Sequence, residues 1–393
     1  MRSLAGGRAI ITGSGTVALA VSILLGLTII QAAQAQTFAT LYNFTGSKDG
    51  GYPYVGLIQG PTGFYGTTFY GGAYDAGTVF EVTRAGTETV LYNFSGGADG
   101  GQPYAALVRD SLGNLYGTTA DGGTHGDGTV FEVSASGTET VLHSFAYTDG
   151  ASPSGGLIRD KNGNLYGTTT RGGSSGEGTV FKVDTTGTET VLHNFAGGTA
   201  DGAFPYLTRL HQDASGNLYG VTEEGGASNL GVVFEVNASG AFSVLYSFAG
   251  APTDGAFPSG PLMRDTAGNL RGTTQAGGAS NLGSVYELSS TGTLTLLHSF
   301  AGGPADGSYP YGGLVQDSLG NLYGTTTGGG VSGVGTVYEL STTGTFNLLQ
   351  SLQSKSQGAY PYGGLVIDAK GHLFGTALQG GKGHYGTVFE LTP

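Results

Sequence analysis

The 393-residue chain has no cysteine and no tryptophan, only 2 methionines and 12 prolines, and charged residues make up just 11% of it. Without cysteine no disulfide can hold the fold, so stability must come from packing and from closure of the chain on itself. Scarce charge excludes long solvent-facing helices laced with Glu–Lys pairs. Only 15 Lys and Arg stand against 28 Asp and Glu, a formal net charge of −13. Such a chain lacks the basic face that nucleic acid requires. What is abundant is glycine, 77 residues, about 20% of the chain against a usual share of about 7%. Collagen is excluded because there is no Gly-X-Y period. A disordered linker is excluded because 38% of residues are hydrophobic and 10% aromatic, enough to build a core. A turn-dense all-β protein remains.

Residues 1–35 carry Arg2 and Arg8, an apolar stretch from Val17 to Ile30, and then Ala33-Gln34-Ala35. This is the order of a secretory signal, with cleavage expected after Ala35. The alternative is a retained anchor, for which the apolar stretch falls short of the roughly 20 residues that a span requires. No cysteine follows it, which excludes a lipid-attached lipoprotein. The protein is therefore expected in the periplasm or outside the cell, with no stable membrane span once the signal is removed.

Four short segments then recur seven times each. The Gly-Asn-Leu-Tyr-Gly-Thr-Thr type has its second glycine at Gly66, Gly117, Gly167, Gly220, Gly272, Gly324 and Gly375, spaced 50 to 53 residues apart. The Gly-Thr-Val-Phe-Glu-Val type starts at Gly77, Gly128, Gly178, Gly231, Gly283, Gly335 and Gly386. A Thr-Val-Leu-His-Ser-Phe type ends at Phe44, Phe94, Phe145, Phe195, Phe248, Phe300 and Leu352, and a Pro-Tyr-Gly-Gly-Leu-Ile-x-Asp type begins at Pro53, Pro103, Pro153, Pro205, Pro258, Pro310 and Pro361. All are rich in β-branched or aromatic residues and bounded by Gly, Asn or Asp, the pattern of strands joined by tight turns. Four antiparallel strands per repeat of this length describe one propeller blade. The rival parallel β-helix uses shorter coils and no hairpins. With the proline segment as innermost strand A and strands B, C and D following outward, the first residues supply a D segment and the last ones a C segment. Residues 36–393 are thus expected to form a single seven-bladed β-propeller, blade seven combining residues 361–391 with 37–44 and removing the open edge.

These units resemble the Gloeo/Verruco (GloVer) tandem repeat of exported bacterial proteins, through Gly-Asn-Leu-Tyr-Gly-Thr-Thr, then Gly-Gly, then Gly-Thr-Val-Phe-Glu-Val. The resemblance covers essentially everything after residue 35. It implies export and often a C-terminal sorting segment, from which this sequence departs by stopping at Pro393. It implies no established reaction and supplies no catalytic residues.

On the face shared by the D-to-A and B-to-C loops, two rings of side chains are the candidate binding groups. Asp49, Asp99, Asp149, Asp201, Asp254 and Asp306 recur before a glycine, with Gln357 breaking the series. Each is read first as an Asp that hydrogen-bonds its own turn, with calcium ligation as the functional alternative. Beside them, aromatics flank the strand A proline. Tyr54, Tyr104, Tyr206, Tyr311 and Tyr362, with Asp99 and Asp306, are the expected ligand-binding set, since amphipathic rings around a channel mouth suit a glycan or a peptide; the structural alternative is that the rings wedge between blades. The lack of Trp weighs somewhat against sugar. A catalytic site would have to break the repeat. Asp121, His125 and Asp127 in blade two are the candidates, and Arg171, Glu177, Glu223, Glu224, Arg209, His211, Lys382 and His384 are further departures. His143, His193 and His298 occupy a strand D slot filled elsewhere by Tyr and read as structural. There is no nucleophile elbow, zinc spacing or phosphate loop. The sequence thus predicts an exported non-catalytic scaffold binding a glycan, peptide or protein, with no cofactor beyond calcium. The alternatives are a polysaccharide hydrolase or lyase using the His125 loop and a structural surface protein without a specific ligand.

Overall fold

The computed structural model describes residues 36–393, so the expected signal and its cleavage site lie outside the described residues. Within them there is no helix, and hence none long and apolar enough to cross a membrane. Seven four-stranded antiparallel sheets follow one another, each in the order A-B-C-D. Blade one, for example, comprises Ile58–Gln59, Gly63–Thr68, Thr78–Thr83 and Glu88–Asn93. The architecture is a seven-bladed β-propeller. Blade seven takes strands A to C from Val366–Ile367, Leu373–Ala377 and Thr387–Thr392 and strand D from Thr37–Asn43, which pairs antiparallel with strand C from Thr37↔Thr392 to Asn43↔Thr387.

Inside each blade the repeated motif explains the register. The mid-strand glycine of B lies opposite an aromatic ring of C, as Gly220 does opposite Phe234. A Cβ on Gly220 would lie 2.5 Å from that ring, so only glycine seats it there. The A-to-B hairpins close on an aspartate. In Asp110-Ser-Leu-Gly-Asn the Asp110 carboxylate accepts the amides of Leu112 and Asn114, each at 2.9 Å. Burial alone would raise the pKa of Asp110, but these bonds and the Tyr116 hydroxyl hold it below the usual carboxylate value.

Between blades lie seven hydrophobic clusters, one per junction. At six of them the phenylalanine ending strand D meets the strand C ring of the next blade edge-on, with centroids 5.0–5.2 Å apart, and Leu352 takes its place at the seventh. Each such buried ring contributes about 2–3 kcal/mol. Polar bonds repeat on the same period. The residue before each strand A proline has φ between +50° and +58°, and its N–H donates to the preceding blade's B-to-C loop at 2.7–3.0 Å. The closing blade obeys this rule too, through Tyr52 N–H to the Tyr385 carbonyl at 2.7 Å.

One feature departs from the sequence expectation. The proline segment does not run as one strand. Its start pairs with the end of strand B, the chain then detours past the proline, and only two residues rejoin the sheet in every blade except five, where Gly255–Arg264 is continuous with a register shift between Ser259 and Met263. The positive φ before the proline turns the chain inward. At the axis the backbones of neighbouring blades touch: a Cβ on Gly363 would lie 2.4 Å from the amide nitrogen of Gly56.

Candidate ligand-binding face

That detour presents the residue after each proline to the channel mouth: Tyr54, Tyr104, Tyr206, Tyr311 and Tyr362, with Ser154 and Ser259 in blades three and five. The five half-buried rings form a continuous arc. Tyr54 lies 4.2 Å from Tyr104 and 4.9 Å from Tyr362 between centroids, Tyr362 lies 4.7 Å from Tyr311, and the Tyr104 and Tyr206 hydroxyls are hydrogen-bonded. Phe69, at the end of strand B in blade one, packs edge-on against Tyr104 at 5.1 Å. The arc opens between Tyr206 and Tyr311. Glu223 acts there, its charge reaching both of those hydroxyls, and Gln275 Nε2 donates to it.

Burial pushes the Tyr104 and Tyr206 hydroxyls up and that of Tyr311 to about 12, so all three stay protonated near neutral pH. Burial also raises the Glu223 carboxyl, with Gln275 opposing and Glu224 reinforcing the shift. Deeper in the axis only about 110 Å³ of space is left, lined by residues of all seven blades including Gly56, Gly156, Arg209 and Gly312. Ligand pockets usually measure about 300–1,000 Å³, so this axial space is too small to enclose a sugar or a peptide.

The structure brings the five tyrosines together but not the aspartates. Among the described residues, no three of Asp49, Asp99, Asp149, Asp201, Asp254 and Asp306 lie within ligand distance of one another. Each caps its own D-to-A loop, as Asp99 does by accepting the Ser95 amide at 2.8 Å and the Tyr92 hydroxyl at 3.0 Å. Asp306 likewise accepts from Ala301 at 2.8 Å and pairs with His298 at 3.2 Å. Asp99 and Asp306 are thereby tied to the strand D ring and not to the tyrosine arc. Where Gln357 breaks the series, Gln350 replaces the ring and donates to it at 3.0 Å, preserving the cap with a neutral pair. In the B-to-C loop of blade two, Asp121 and His125 are exposed and Asp127 partly buried. His125 Nδ1 meets only Thr124 Oγ1 at 3.0 Å, and among the described residues no hydrogen bond or ion pair joins the three. Gln275 and Phe69 are contributors that sequence reasoning missed. Their signal is the single variable position after Gly-Thr-Thr, which reads Phe69, Ala120, Thr170, Glu223, Gln275, Thr327 and Leu378.

The rim carries a second titrating feature. Glu88 and Glu139, which open strand D of blades one and two, are raised to about 7 by burial and then by Asp49 and Asp99 respectively. A folded pKa above the unfolded value means that the protonated form favours folding: the contribution is full below about pH 4.5 and lost as pH rises through about 7. Allowing for solvent screening, about 1 kcal/mol is at stake for each. Relative to a Glu88→Gln/Glu139→Gln variant, the parent should lose stability between pH 5 and pH 8 in urea titrations; a constant difference would refute the assignment.

The repeat extends across nearly the whole described chain, and residues 26–212 and 197–389 match the Gloeobacter/Verrucomicrobia repeat. The chain belongs to that family. No curated protein matches it. Among solved structures, this family member is similar to two proteins of B. thetaiotaomicron described as extracellular domains of hybrid two-component systems. One is 16% identical with a TM-score of 0.59, covering 91% of this chain and 41% of that one. The other is 10% identical with a TM-score of 0.60, covering 90% and 39%. The chain thus spans about two fifths of the length of those domains. A protein of Bacteroides uniformis described as a 6-phosphogluconolactonase is 15% identical with a TM-score of 0.50, covering 78% of this chain and 86% of that one. At these identities the likeness establishes the propeller fold.

Proposed function

We propose that this member of the family is an exported, non-catalytic binding propeller whose ligand is a glycan held on the tyrosine arc beside Glu223 and Gln275. The arc carries the reading: it offers stacking faces with protonated hydroxyls at their edges, and a carboxylate–carboxamide pair fills its one opening. Apolar ring faces with a few fixed polar groups suit pyranose rings, which have one apolar face and an equatorial fringe of hydroxyls. The N-terminal export pattern and the extracellular domains among the structural neighbours support a place outside the cytoplasm.

The test is a glycan array followed by calorimetry on the best ligand. Tyr311→Ala/Tyr362→Ala is expected to weaken binding at least roughly tenfold, and Glu223→Gln, which keeps the shape, should alter affinity while the melting temperature barely moves. A parent protein retained by no glycan, or variants that bind as the parent does, would leave the arc a structural plug and defeat the reading.

A further inference from the structure

The rim junctions repeat one triplet of positions, and its side chains differ from junction to junction. The triplet combines a strand D residue, the D-to-A loop residue that caps it, and the first strand D residue of the following blade. At blades seven–one and one–two it reads Tyr42, Asp49, Glu88 and Tyr92, Asp99, Glu139. At three–four and five–six it holds His193 with Asp201 and His298 with Asp306, each imidazole covered by a stacked phenylalanine: Phe242 at 3.8 Å and Phe346 at 4.2 Å between centroids. Only blades two–three combine a histidine with two carboxylates. There His143, Asp149 and Glu189 place one ligand atom each within 4.8 Å of one another.

Two observations mark this triplet as unfinished. His143 Nε2 lies 3.2 Å from Asp149 Oδ2, yet it makes no aligned hydrogen bond and is a buried atom without a partner. Glu189 Oε1 is unpartnered as well, as are Glu88 Oε1 and Glu139 Oε1 at the same register elsewhere, so the orphaned imidazole nitrogen is what sets this junction apart. Asp149 uses its other oxygen, Oδ1, to accept the Ala146 amide at 2.9 Å, which leaves Oδ2 directed toward the same space. Buried polar atoms are ordinarily satisfied, and three ligand atoms within 4.8 Å of one another, joined only by the 3.2 Å contact of His143 with Asp149, suit a cation placed among them. The side chains of His143 and Asp149 are 17% and 28% exposed, so water can complete the coordination.

We propose that the junction of blades two and three binds a divalent transition-metal ion through His143 Nε2, Asp149 Oδ2 and Glu189 Oε1. One imidazole and two carboxylates with an open position match the mixed nitrogen and oxygen ligation of zinc-class ions. Calcium, which takes six to eight oxygen ligands, is a poorer match. The ion would tie the D-to-A loop leaving blade two to strand D of blade three, a bond absent from the other six junctions.

Calorimetric titration of the chelator-stripped protein with Zn²⁺ tests this, with Ca²⁺ as the comparison. One saturable equivalent of Zn²⁺ is expected, together with a rise in melting temperature that Ca²⁺ does not produce. Glu189→Phe and His143→Tyr each install the residue that another junction already carries at the same register, so both variants should fold. Each is expected to weaken Zn²⁺ binding roughly tenfold or more. No saturable Zn²⁺ binding by the parent, Ca²⁺ binding as tight as Zn²⁺, or unchanged affinity in the folded variants overturns the proposal.

Discussion

Deletion of residues 36–44 should cost about 5 kcal/mol or more, because it removes both a strand and a core ring. Thr37–Asn43 is the outer strand of blade seven, and Phe44, fully buried, stands edge-on to Phe80 of blade one at 5.1 Å. Its loss opens the hydrophobic cluster at the seven–one junction, where Leu57, Phe64 and Phe374 also lie, and leaves Thr387–Thr392 with an unpaired edge prone to association. Urea denaturation with size-exclusion chromatography should show a lower midpoint and higher-order species. A permuted chain carrying residues 36–44 directly after Pro393 should regain the midpoint, since Thr37 already pairs with Thr392. An unchanged midpoint in the truncated protein would disprove the closure role.

The second large effect is expected at a single methyl group. Gly231 closes the B-to-C loop of blade four at φ +94°, and a Cβ there would lie 2.3 Å from the Thr222 carbonyl oxygen and 2.5 Å from Pro258 Cδ of the next blade. The equivalent glycine and proline meet at all seven junctions, with that Cβ 2.5–2.9 Å from the proline ring. Gly231→Ala combines a strained backbone with a collision that neither blade can relieve by rotating a side chain, so about 3 kcal/mol or more should be lost. Gly240 separates the two terms: its φ is +87° but no atom lies within 4 Å of the added carbon, so Gly240→Ala should cost only about 1 kcal/mol. Equal effects in the two variants, measured by urea titration, would mean that the blade-to-blade contact carries no weight.

These two positions show how much the chain announces. Strands B, C and D were legible because each is rich in β-branched or aromatic residues between turn residues, and because seven copies repeat the pattern. Strand A was only half legible. Its proline and paired glycines read as the start of a strand, whereas the positive φ of residues such as Tyr52 and Phe204 arises from hydrogen bonds to the neighbouring blade, which no local pattern encodes. The aspartates were visible as a ring in the alignment of repeats, but their partners, Tyr92 for Asp99 or Gln350 for Gln357, emerge only when strand D folds back over its own loop.

The sequence by itself determined the blade count, the four-strand unit, the acidic low-charge surface and the closure by the first strand, because periodicity, turn chemistry and composition are local or additive properties. Tertiary structure decided which repeated residues face one another. It gathered Tyr54, Tyr104, Tyr206, Tyr311 and Tyr362 at the axis beside Glu223, kept the aspartates apart in separate loops, and set His143 against Glu189 from the next blade. Residues about 50 apart in the chain become neighbours through the rotation from one blade to the next, and that geometry is a property of the closed ring, not of any single repeat.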